Sequence, residues 1–521
     1  MLVLIPTAGI GSRLDLSTKN FNKSMIQLGD TPVISKIIDS YPKNTKFIIV
    51  TGYKGDHIKE YVKLVYPRKK IKFVHVSLFE GPGSGLTLSL KKSLKFVNEP
   101  FFFHANDSIF IDKKFYRNVT KDTMYLQKGK SDTMKYATVE IKKNKKRIHR
   151  KLNYLRKDFY NYTGVAYIHD FNLFKKLLKQ DKSNSGELAY FKQLNPNKIK
   201  YKFIINWMDI GSKNTKEIAE NYFASRNILP KFDQGIFFKG NKVFKFFTDP
   251  EIIKKRFKRS KILKNFVPKV KKKKYFYVYK YVNGTVFSNL KNKKENFKFL
   301  LEWLKNTFWV KKKISMSKYN IFQQKCNNFY YEKTLSRINY LYEKNNIKEE
   351  VEIINNIKIP KLSNLFEKIN WISLNNGIPV NFHGDLHFEN IIKFKNKITL
   401  LDWREGFADI YDYGDIYYDL AKINHGLIID HKLIKKSKFD IKKNNNKIQV
   451  EYSQSKENKS CQKEFFKFLK TNNYSKQKVE ILTAIIFLNI AALHHYPYSI
   501  FLYYLGKLLL YKSLKKQREI K

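Results

Sequence analysis

The sequence predicts an α/β fold whose N-terminal part holds a mostly parallel sheet with helices on both faces. Short apolar runs, "LVLIP", "KFIIVTG", "KFVHVSL" and "PFFFHAND", alternate there with helical-looking segments such as "TPVISKIIDSY". Buried runs in this rhythm are typical of parallel strands joined by helices. Ligands of such sheets bind at the carboxyl ends of the strands, where this sequence places Gly, Asn and Asp residues.

A second domain is expected because 521 residues exceed what one hydrophobic core usually supports. Hydrophobic residues make up 43% of the chain, which is enough for a core in each domain. Pro and Gly interrupt the pattern at "RNILPKFDQG". We therefore predict a first domain over residues 1–228 and a second over residues 229–521.

The net charge of +57 raises the question of a polyanionic partner, because Lys and Arg neutralise phosphates. Lys, Asn, Ile, Phe and Tyr are all abundant, however, and all use A/T-rich codons. A biased genome would raise the Lys content without any ligand. We expect a solvated basic surface and no nucleic-acid partner.

Cysteine content and hydropathy bear on the compartment. Two cysteines, Cys326 and Cys461, cannot build a disulfide framework, and neither belongs to a metal motif. The N-terminal apolar run has no basic flank, and "ILTAIIFLNIAAL" is too short to span a bilayer. We expect a soluble, cytoplasmic protein without membrane insertion. The sequence leaves open whether it forms a homo-oligomer.

The first strand is followed by "PTAGIGSRLDLSTKNFNKSM". Gly9 and Gly11 allow the backbone to approach a phosphate, and Arg13 and Lys23 add fixed positive charge beside it. The third glycine of a dinucleotide-binding loop is missing, because Leu14 follows Arg13. The loop predicts a nucleotide site of another kind.

These residues carry a family resemblance over residues 1 to about 225. "AGIGSRL…NKSMIQLGDTPVI" resembles sugar-phosphate and phosphocholine nucleotidylyltransferases, in which Gly-x-Gly-x-Arg and a downstream Lys hold a nucleoside triphosphate. "FFFHANDSIF" and "NWMDIGSKNTKEIAENYF" resemble the family's metal-binding segments, so the resemblance implies Asp107 and Asp209 as Mg²⁺ ligands. "FEGPGSGLTLSL" resembles the nucleotide-base loop, which implies Gly83, Ser84 and Gly85 near the base.

Two departures from that family stand beside the charged residues. Asn22 replaces the Pro that usually precedes Lys23, and Asn106 replaces the Gly that often precedes Asp107. Neither removes a charged participant. The chemistry of such a site is positioning and charge stabilisation, since negative charge gathers on phosphate oxygens as pyrophosphate leaves.

The second domain begins with "GIFFKGNKVFKFF", which reads as two strands joined by a tight turn. Such a hairpin suits the small lobe of a kinase, in which a strand Lys contacts the ATP phosphates. Lys245 is the candidate, although Lys242 lies nearby and no full Gly-rich loop precedes it.

The stretch "HGDLHFENIIKFKNKITLLDW" places His383, Asp385 and Asn390 at the H-x-D-x-x-x-x-N spacing of a kinase catalytic loop. Two β runs then return Asp402 to the side of Asn390. A metal-hydrolase site of His383, Asp385 and His387 is the competing interpretation, but it leaves Asn390 and the hairpin unexplained.

"HGDLHFENI…LLDW" resembles the aminoglycoside phosphotransferase and choline kinase family, which has a bilobal, protein-kinase-like α+β fold. The match covers residues 230–521, with a small lobe over about 229–290 and a large lobe over about 291–521. By resemblance, Asp385 is the catalytic base or orients the acceptor hydroxyl. Asn390 and Asp402 are implied Mg²⁺ ligands.

Downstream, "REGFADIYDYGDIYYDLAKINHGL" gathers acidic and aromatic residues in a chain otherwise short of acid: Asp409, Asp412, Asp415 and Asp419. Such a patch suits a cationic acceptor such as choline or an amino alcohol. Helix capping explains the same residues equally well.

Taken together, the two resemblances imply a bifunctional enzyme. ATP would phosphorylate a small alcohol, and CTP or another NTP would then give an activated donor for a surface polysaccharide. Three alternatives stay open: a sugar kinase joined to a sugar-1-phosphate nucleotidylyltransferase, an antibiotic phosphotransferase, and a nucleic-acid-binding protein with inactive enzyme-like domains.

Overall fold

The computed structural model divides the chain into two compact units, Met1–Pro250 with Lys273–Tyr277, and Glu251–Lys272 with Val278–Lys521. It describes residues 1–14, 19–112, 114–129, 131–142, 145–224, 233–430, 438–494 and 496–519. The predicted boundary at residue 228 lies outside these described residues.

Strands predominate in the first unit, and its longer helices connect them. Its elements in chain order are β1 (Leu2–Pro6), β2 (Gln27–Leu28), β3 (Thr31–Pro32), α1 (Val33–Asp39), β4 (Lys46–Thr51), α2 (Gly55–Val65), β5 (Ile71–His75), α3 (Leu86–Ser93), β6 (Phe101–His104), β7 (Ser108–Phe110), β8 (Thr123–Gln127), β9 (Thr138–Lys142), β10 (Lys145–His149), β11 (Tyr160–Ile168), α4 (Phe171–Gln180), α5 (Leu188–Phe191), β12 (Lys200–Ile204), β13 (Trp207–Asp209), α6 (Lys213–Phe223), β14 (Gln234–Lys239) and β15 (Lys242–Phe247).

The four predicted apolar runs become the parallel centre of the main sheet. Their order is β6-β1-β4-β5, and β1 is parallel to both β4 and β6. Antiparallel β11 extends the sheet beyond β6 and leads to β8, β9 and β10. The predicted parallel sheet is therefore confirmed at its centre and becomes mixed toward this edge.

Both faces of β1 are buried, as the near-continuous apolar runs predict. Leu4 belongs to a core that also contains Leu90 of α3 and Phe174 of α4. Val3 and Ile5 alternate with Leu4 on the opposite face and are equally inaccessible to solvent. This burial fixes the register of β1, and so the place where the loop after Pro6 begins.

The hairpin predicted at "GIFFKGNKVFKFF" is confirmed as β14 and β15, with Lys239 opposite Lys242. It belongs to the first unit. Phe237 packs against Tyr61 of α2, with the ring centroids 5.3 Å apart. Aromatic contacts of this kind attach the hairpin to the nearest helix of that unit.

Helices predominate in the second unit, which also contains several short hairpins. Its elements in chain order are α7 (Pro250–Ile262), β16 (Lys271–Lys272), β17 (Phe276–Lys280), β18 (Thr285–Val286), α8 (Lys293–Trp303), α9 (Met316–Asn327), α10 (Lys333–Asn345), β19 (Glu352–Ile354), β20 (Ile357–Ile359), α11 (Leu362–Glu367), α12 (Trp371–Asn375), β21 (Pro379–Val380), β22 (Ile391–Phe394), β23 (Lys397–Leu400), β24 (Gly414–Asp415), α13 (Ile416–Ile428), β25 (Phe439–Asn444), β26 (Lys447–Tyr452), α14 (Lys456–Thr471), α15 (Lys476–Ala491) and α16 (Tyr498–Glu519). The first residue of α7 and the first two of β17 belong to the first unit.

The apolar late sequence forms core helices that contact one another. All but one residue of α13 and most residues of α15 are buried, and the Asn424 amide of α13 donates to Thr483 of α15 at 3.1 Å. In α16, the buried Lys507 pairs with the buried Glu352 of β19 at 2.5 Å. Across the part of the chain that the structure describes, no helix is both long enough and apolar enough to cross a membrane.

Candidate active sites

The loop after β1 forms one wall of a pocket in the first unit. Gly9, Arg13 and Lys23 line this pocket, which has a volume of about 330 Å³. Gly11 adopts a φ of 78°, a left-handed conformation that glycine tolerates best. A Cβ added at Gly9 would meet no described atom within 4 Å. Protein packing therefore does not require glycine at position 9. A ligand that approaches the backbone closely would require it.

A second loop closes the pocket on another side. Ser84 and Gly85 line it, directly before α3 begins at Leu86. The Asn184 amide occupies the space beside Gly85, where any Cβ would lie 2.1 Å from Nδ2. Gly83 has a φ of 82° and shapes the turn but is not among the lining residues. Glycine is thus required by conformation at Gly83 and by close approach at Gly85.

The two predicted metal carboxylates come together. Asp107 follows β6, Asp209 ends β13, and the pairing of β13 with β7 places Asp209 opposite Ser108. A Cβ at Gly211 would lie 2.9 Å from Asp209 Oδ1 and 3.5 Å from Asp107 Oδ2, so both carboxylates border one point. The glycine leaves that point open.

Cations surround these carboxylates. Lys23 Nζ lies 2.9 Å from Asp107 Oδ2, and Lys135 Nζ lies 3.4 Å from Asp209 Oδ2. Burial opposes ionisation of Asp107, but Lys23, and then Arg13, hold its pKa below the ordinary value. Asp107 is therefore ionised at neutral pH.

Several residues at Asp209 were not predicted from the sequence. Tyr136 donates to Asp209 Oδ2 at 3.0 Å, and Thr215 donates to the same oxygen at 3.3 Å. Lys135 adds the ion pair to that oxygen. The segment "SDTMKYATVE" has no motif, and one Lys among so many gives no signal. Thr215 follows the Asp-Ile-Gly segment closely, so it was the easiest of the three residues to predict from the sequence.

The two departures from the expected motif have a structural explanation. The Asn22 amide donates to the carbonyls of Thr7 and Tyr53 at 2.8 Å each, and so ties together the loops after β1 and β4. Ser24 donates to Asn106 Oδ1 at 2.8 Å. Asparagine at both positions thus holds the short segment that carries Lys23 against the strand ends.

Within the described ranges, no group of three or more His, Cys, Asp and Glu side chains is arranged to hold a metal ion. A pair of carboxylates nevertheless fits Mg²⁺, which proteins commonly hold through one or two carboxylates together with substrate phosphates and water. Asp107 and Asp209 form such a pair.

The comparisons with known proteins found only solved structures of low similarity to this chain. No protein-family model matches the chain, and no curated protein matches it significantly. Solved nucleotidyltransferases resemble its N-terminal part. A Bacillus anthracis protein assigned as a glucose-1-phosphate thymidylyltransferase, solved with sucrose, is 20% identical, with coverage of 44% of this chain and 99% of its own and a TM-score of 0.36.

Two further structures are similar to a comparable degree. CTP:phosphocholine cytidylyltransferase (LicC) from Streptococcus pneumoniae is 14% identical and covers 42% of this chain and 98% of its own, with a TM-score of 0.35. The inositol-1-phosphate CTP transferase from T. maritima is 17% identical and covers 42% and 93%, with a TM-score of 0.34. At these values the likenesses say nothing about activity, which has to be inferred from the sites.

In the second unit, the predicted catalytic loop lies between β21 and the β22–β23 hairpin. His383 is buried there, and both ring nitrogens are used by the backbone: Nε2 donates to the Leu401 carbonyl at 2.9 Å, and Nδ1 accepts the N–H of Asp385 at 3.2 Å. Burial lowers the pKa of His383 to about 3. A neutral imidazole without a free lone pair cannot bind a cation, which disfavours the metal-hydrolase interpretation.

A buried carboxylate supports the start of this loop. Asp419 of α13 accepts the N–H groups of His383 at 2.9 Å and Gly384 at 2.8 Å, and the Trp309 indole donates to it at 3.2 Å. Gly384 has a φ of 85°, and a Cβ there would collide with the ring of Phe382. Burial raises the pKa of Asp419 to about 6. Asp419 therefore holds the loop from within the core.

Asp385 stands at the centre of a small polar network. Lys422 Nζ lies 2.8 Å from its Oδ1, and the Asn390 amide donates to its carbonyl at 2.9 Å and to Oδ2 at 3.3 Å. His387 Nε2 lies 3.6 Å from Oδ2. Although burial lowers the pKa of His387, Asp385 and Glu389 raise it to about 9.

The predicted hairpin delivers Asp402 to the same loop. Leu401 N–H donates to the Asn390 carbonyl at 2.7 Å, which places Asp402 one residue beyond this contact. Asp402 has a φ of 57°, an unusual conformation for a non-glycine residue and one often found at functional sites. Its Oδ1 lies 3.2 Å from the Arg256 guanidinium of α7.

The remaining predicted residues lie elsewhere. Lys245 lies in β15, opposite Ile236, with a buried side chain, and belongs to the first unit. Of the acidic patch, Asp415 accepts the N–H groups of Ile378 and Tyr417 and the hydroxyl of Tyr330, and thereby caps α13. Asp409 is exposed.

Proposed function

We propose that the first unit transfers a nucleotidyl group from an NTP to a phosphorylated small molecule. The observation that carries this proposal is the convergence of Asp107, Lys23 and Arg13 around a pocket that a glycine loop borders, with Asp209 beside Asp107. In the reaction, an oxygen of the acceptor phosphate bonds to the α-phosphorus of the NTP. The bond from that phosphorus to the bridging oxygen breaks, and pyrophosphate leaves.

The residues of the pocket have separate tasks in this proposal. Arg13 and Lys23 neutralise the triphosphate, and the backbone at Gly9 approaches it closely. Asp107 and Asp209 would hold Mg²⁺, which when bound supplies positive charge against the phosphate oxygens. Lys23 exchanges its contact with Asp107 for one with the nucleotide. Ser84 and Gly85 border the base.

For the second unit we propose phosphoryl transfer from ATP to a small alcohol. Asp385 orients the acceptor hydroxyl, and Asn390 and Asp402 would hold Mg²⁺, which when bound neutralises the ATP phosphates. The support is the order of loop, hairpin and second Asp, together with the network that fixes Asp385. Lys245 belongs to the first unit and has no role in this proposal.

The two reactions form a sequence within one chain. Phosphorylation of the alcohol gives the acceptor of nucleotidyl transfer, and we propose CTP as the NTP and an activated donor for surface polysaccharide as the product. Joining both activities in one polypeptide raises the effective concentration of the intermediate at the second site.

Single-site variants test each activity by itself. Asp107→Asn and Asp385→Asn keep the shape of the side chain and remove its charge, and Asp56→Asn on the surface of α2 is the matched control. With a panel of NTPs and phosphorylated alcohols, Asp107→Asn should be the only one of the three variants that loses pyrophosphate release. With ATP and alcohols, ADP formation should be lost in Asp385→Asn alone. Retention of both activities in both variants would refute the assignments.

A further inference from the structure

A group of cations lies beside the catalytic loop of the second unit, and we call it the basic cluster: Lys333, Arg337, Arg404 and Lys422. Lys333 Nζ lies 4.1 Å from the centroid of the Phe329 ring, and the Arg404 guanidinium carbon lies 4.9 Å from the same centroid. Two cations therefore share one aromatic ring.

Two carboxylates pair with members of the basic cluster. Lys422 pairs with Asp385 at 2.8 Å, and Arg404 pairs with Glu405 at 3.6 Å, but Arg256 shares Glu405 at 3.6 Å as well. Arg337 contacts the carbonyl and amide oxygens of Asn489, which carry no net charge. Glu405 is thus shared between two guanidinium groups.

Lys333 is the member of the cluster with no counter-charge in contact. Its side-chain ammonium forms no hydrogen bond and no ion pair with any residue in the described ranges, and Phe329 is its aromatic neighbour. Burial, and then Arg404 and Arg337, hold the pKa of Lys333 well below its ordinary value. A partly desolvated ammonium among like charges is unfavourable, and a bound anion would relieve that cost.

One member of the basic cluster contacts a proposed reacting group directly. Lys422 contacts Asp385, which would orient the acceptor hydroxyl, and Arg404 stands two residues after Asp402. Conversely, the nearby acids offer little to a cationic acceptor. Asp419 is bound to the catalytic loop, and Asp415 caps α13.

We propose that the alcohol phosphorylated by the second unit carries an anionic group, a carboxylate or a phosphate, which Lys333 and Arg404 bind. The acceptor is therefore a hydroxy acid or a polyol phosphate and not an amino alcohol. The inference rests on the proposed phosphoryl transfer. In that step the acceptor oxygen bonds to the γ-phosphorus, the bond to the β,γ-bridging oxygen breaks, ADP leaves, and Asp385 takes the hydroxyl proton.

Matched acceptors on one carbon skeleton test the charge preference. The full-length protein is assayed for ADP formation with glycerol, serinol, glycerate and glycerol 3-phosphate, and with neutral, cationic and anionic polyols of four to six carbons. The anionic members should be favoured at least about tenfold in kcat/KM, the size of one charge-assisted contact. The two anionic arms distinguish a carboxylate from a phosphate.

Variants of α10 then assign the preference to the basic cluster. Lys333→Met should raise KM for the anionic acceptor about tenfold and leave KM for ATP unchanged, while Lys344→Met, exposed on the same helix, should alter neither. A preference for cationic or neutral acceptors, or a rise in KM for ATP instead, overturns the inference. If no acceptor supports ADP formation that depends on Asp385, the proposed phosphoryl transfer fails first, and the inference fails with it.

Discussion

Asp107 and Asp209 approach each other because two short strands, β7 and β13, pair antiparallel directly beside them. Asp107 could be predicted from the apolar run that it follows, and Asp209 from the family resemblance of "NWMDIGSKNTKEIAENYF". Their partners could not be predicted. Lys135 and Tyr136 arrive from a segment without periodicity, and only the tertiary fold brings them to Asp209.

Neutralising either acid should abolish nucleotidyl transfer. Asp107→Asn and Asp209→Asn are expected to lower kcat/KM for pyrophosphate release at least about 100-fold, because charge stabilisation of the phosphates supplies most of such catalysis. Asp56→Asn controls for the amide substitution. Activity near that of the control in both variants would remove these acids from the mechanism.

Glu187, at the start of α5, gives a pH-dependent prediction. It is 4% exposed, and burial raises its pKa from 4.5 to about 8. Between these values the folded protein binds a proton that the unfolded chain has lost, so the stability contributed by this group falls as pH rises toward 8. Glu187→Gln lacks this dependence.

The free energy of unfolding of Glu187→Gln minus that of wild type should therefore be larger at pH 9 than at pH 5. Between these two pH values, this difference in unfolding free energy should change by a few kcal/mol in order of magnitude. Denaturant unfolding of both proteins at both pH values measures it. An equal difference between the proteins at pH 5 and pH 9 would show that Glu187 ionises normally in the folded state.

Among the elements, the β22–β23 hairpin and helix α7 place the second site. The hairpin was predictable, because two β runs flank a polar turn and the register follows from their length. The role of α7 was not. Its sequence "PEIIKKRFKRSKI" is strongly basic and reads as a solvated helix, yet Arg259 is fully buried.

Arg259 links α7 to three segments around the catalytic loop. Its guanidinium donates to the carbonyls of Phe382, of Arg404 at 3.0 Å and of Tyr411 at 3.1 Å. Each of these carbonyls would lose a charged donor if the side chain were shortened. Only the fold reveals such a residue, since a buried Arg and a surface Arg look alike in sequence.

Arg259→Met should destabilise the protein by about 3 kcal/mol, because three buried carbonyls lose their donor. Lys254→Met, on the exposed face of the same helix, should change stability by less than about 0.5 kcal/mol. Thermal unfolding measures the stability of both variants, and an assay of ADP formation shows whether the loop still functions. Equal melting temperatures for the two variants would mean that Arg259 does not anchor the loop.

On the scale of the whole molecule, composition was the least informative observation. A net charge of +57 suggested a polyanionic partner. Two short motifs gave more specific predictions, and each lies in a group of polar side chains: Asp107 with Lys23 in the first unit, and Asp385 with Lys422 in the second. The attachment of the β14–β15 hairpin to the first unit and the basic cluster of the second were not evident from the sequence.

The central claim is that one chain holds two independent active sites whose reactions follow one another. Mixing Asp107→Asn with Asp385→Asn tests it most directly, with ATP, CTP and the acceptor panel, and with the nucleotide-linked alcohol measured by mass spectrometry. Wild type should form this product. Asp107→Asn should stop at the phosphorylated alcohol, and Asp385→Asn should make neither compound. The mixture should restore the final product. Full product from either variant alone, or an inactive mixture beside active wild type, would contradict the account.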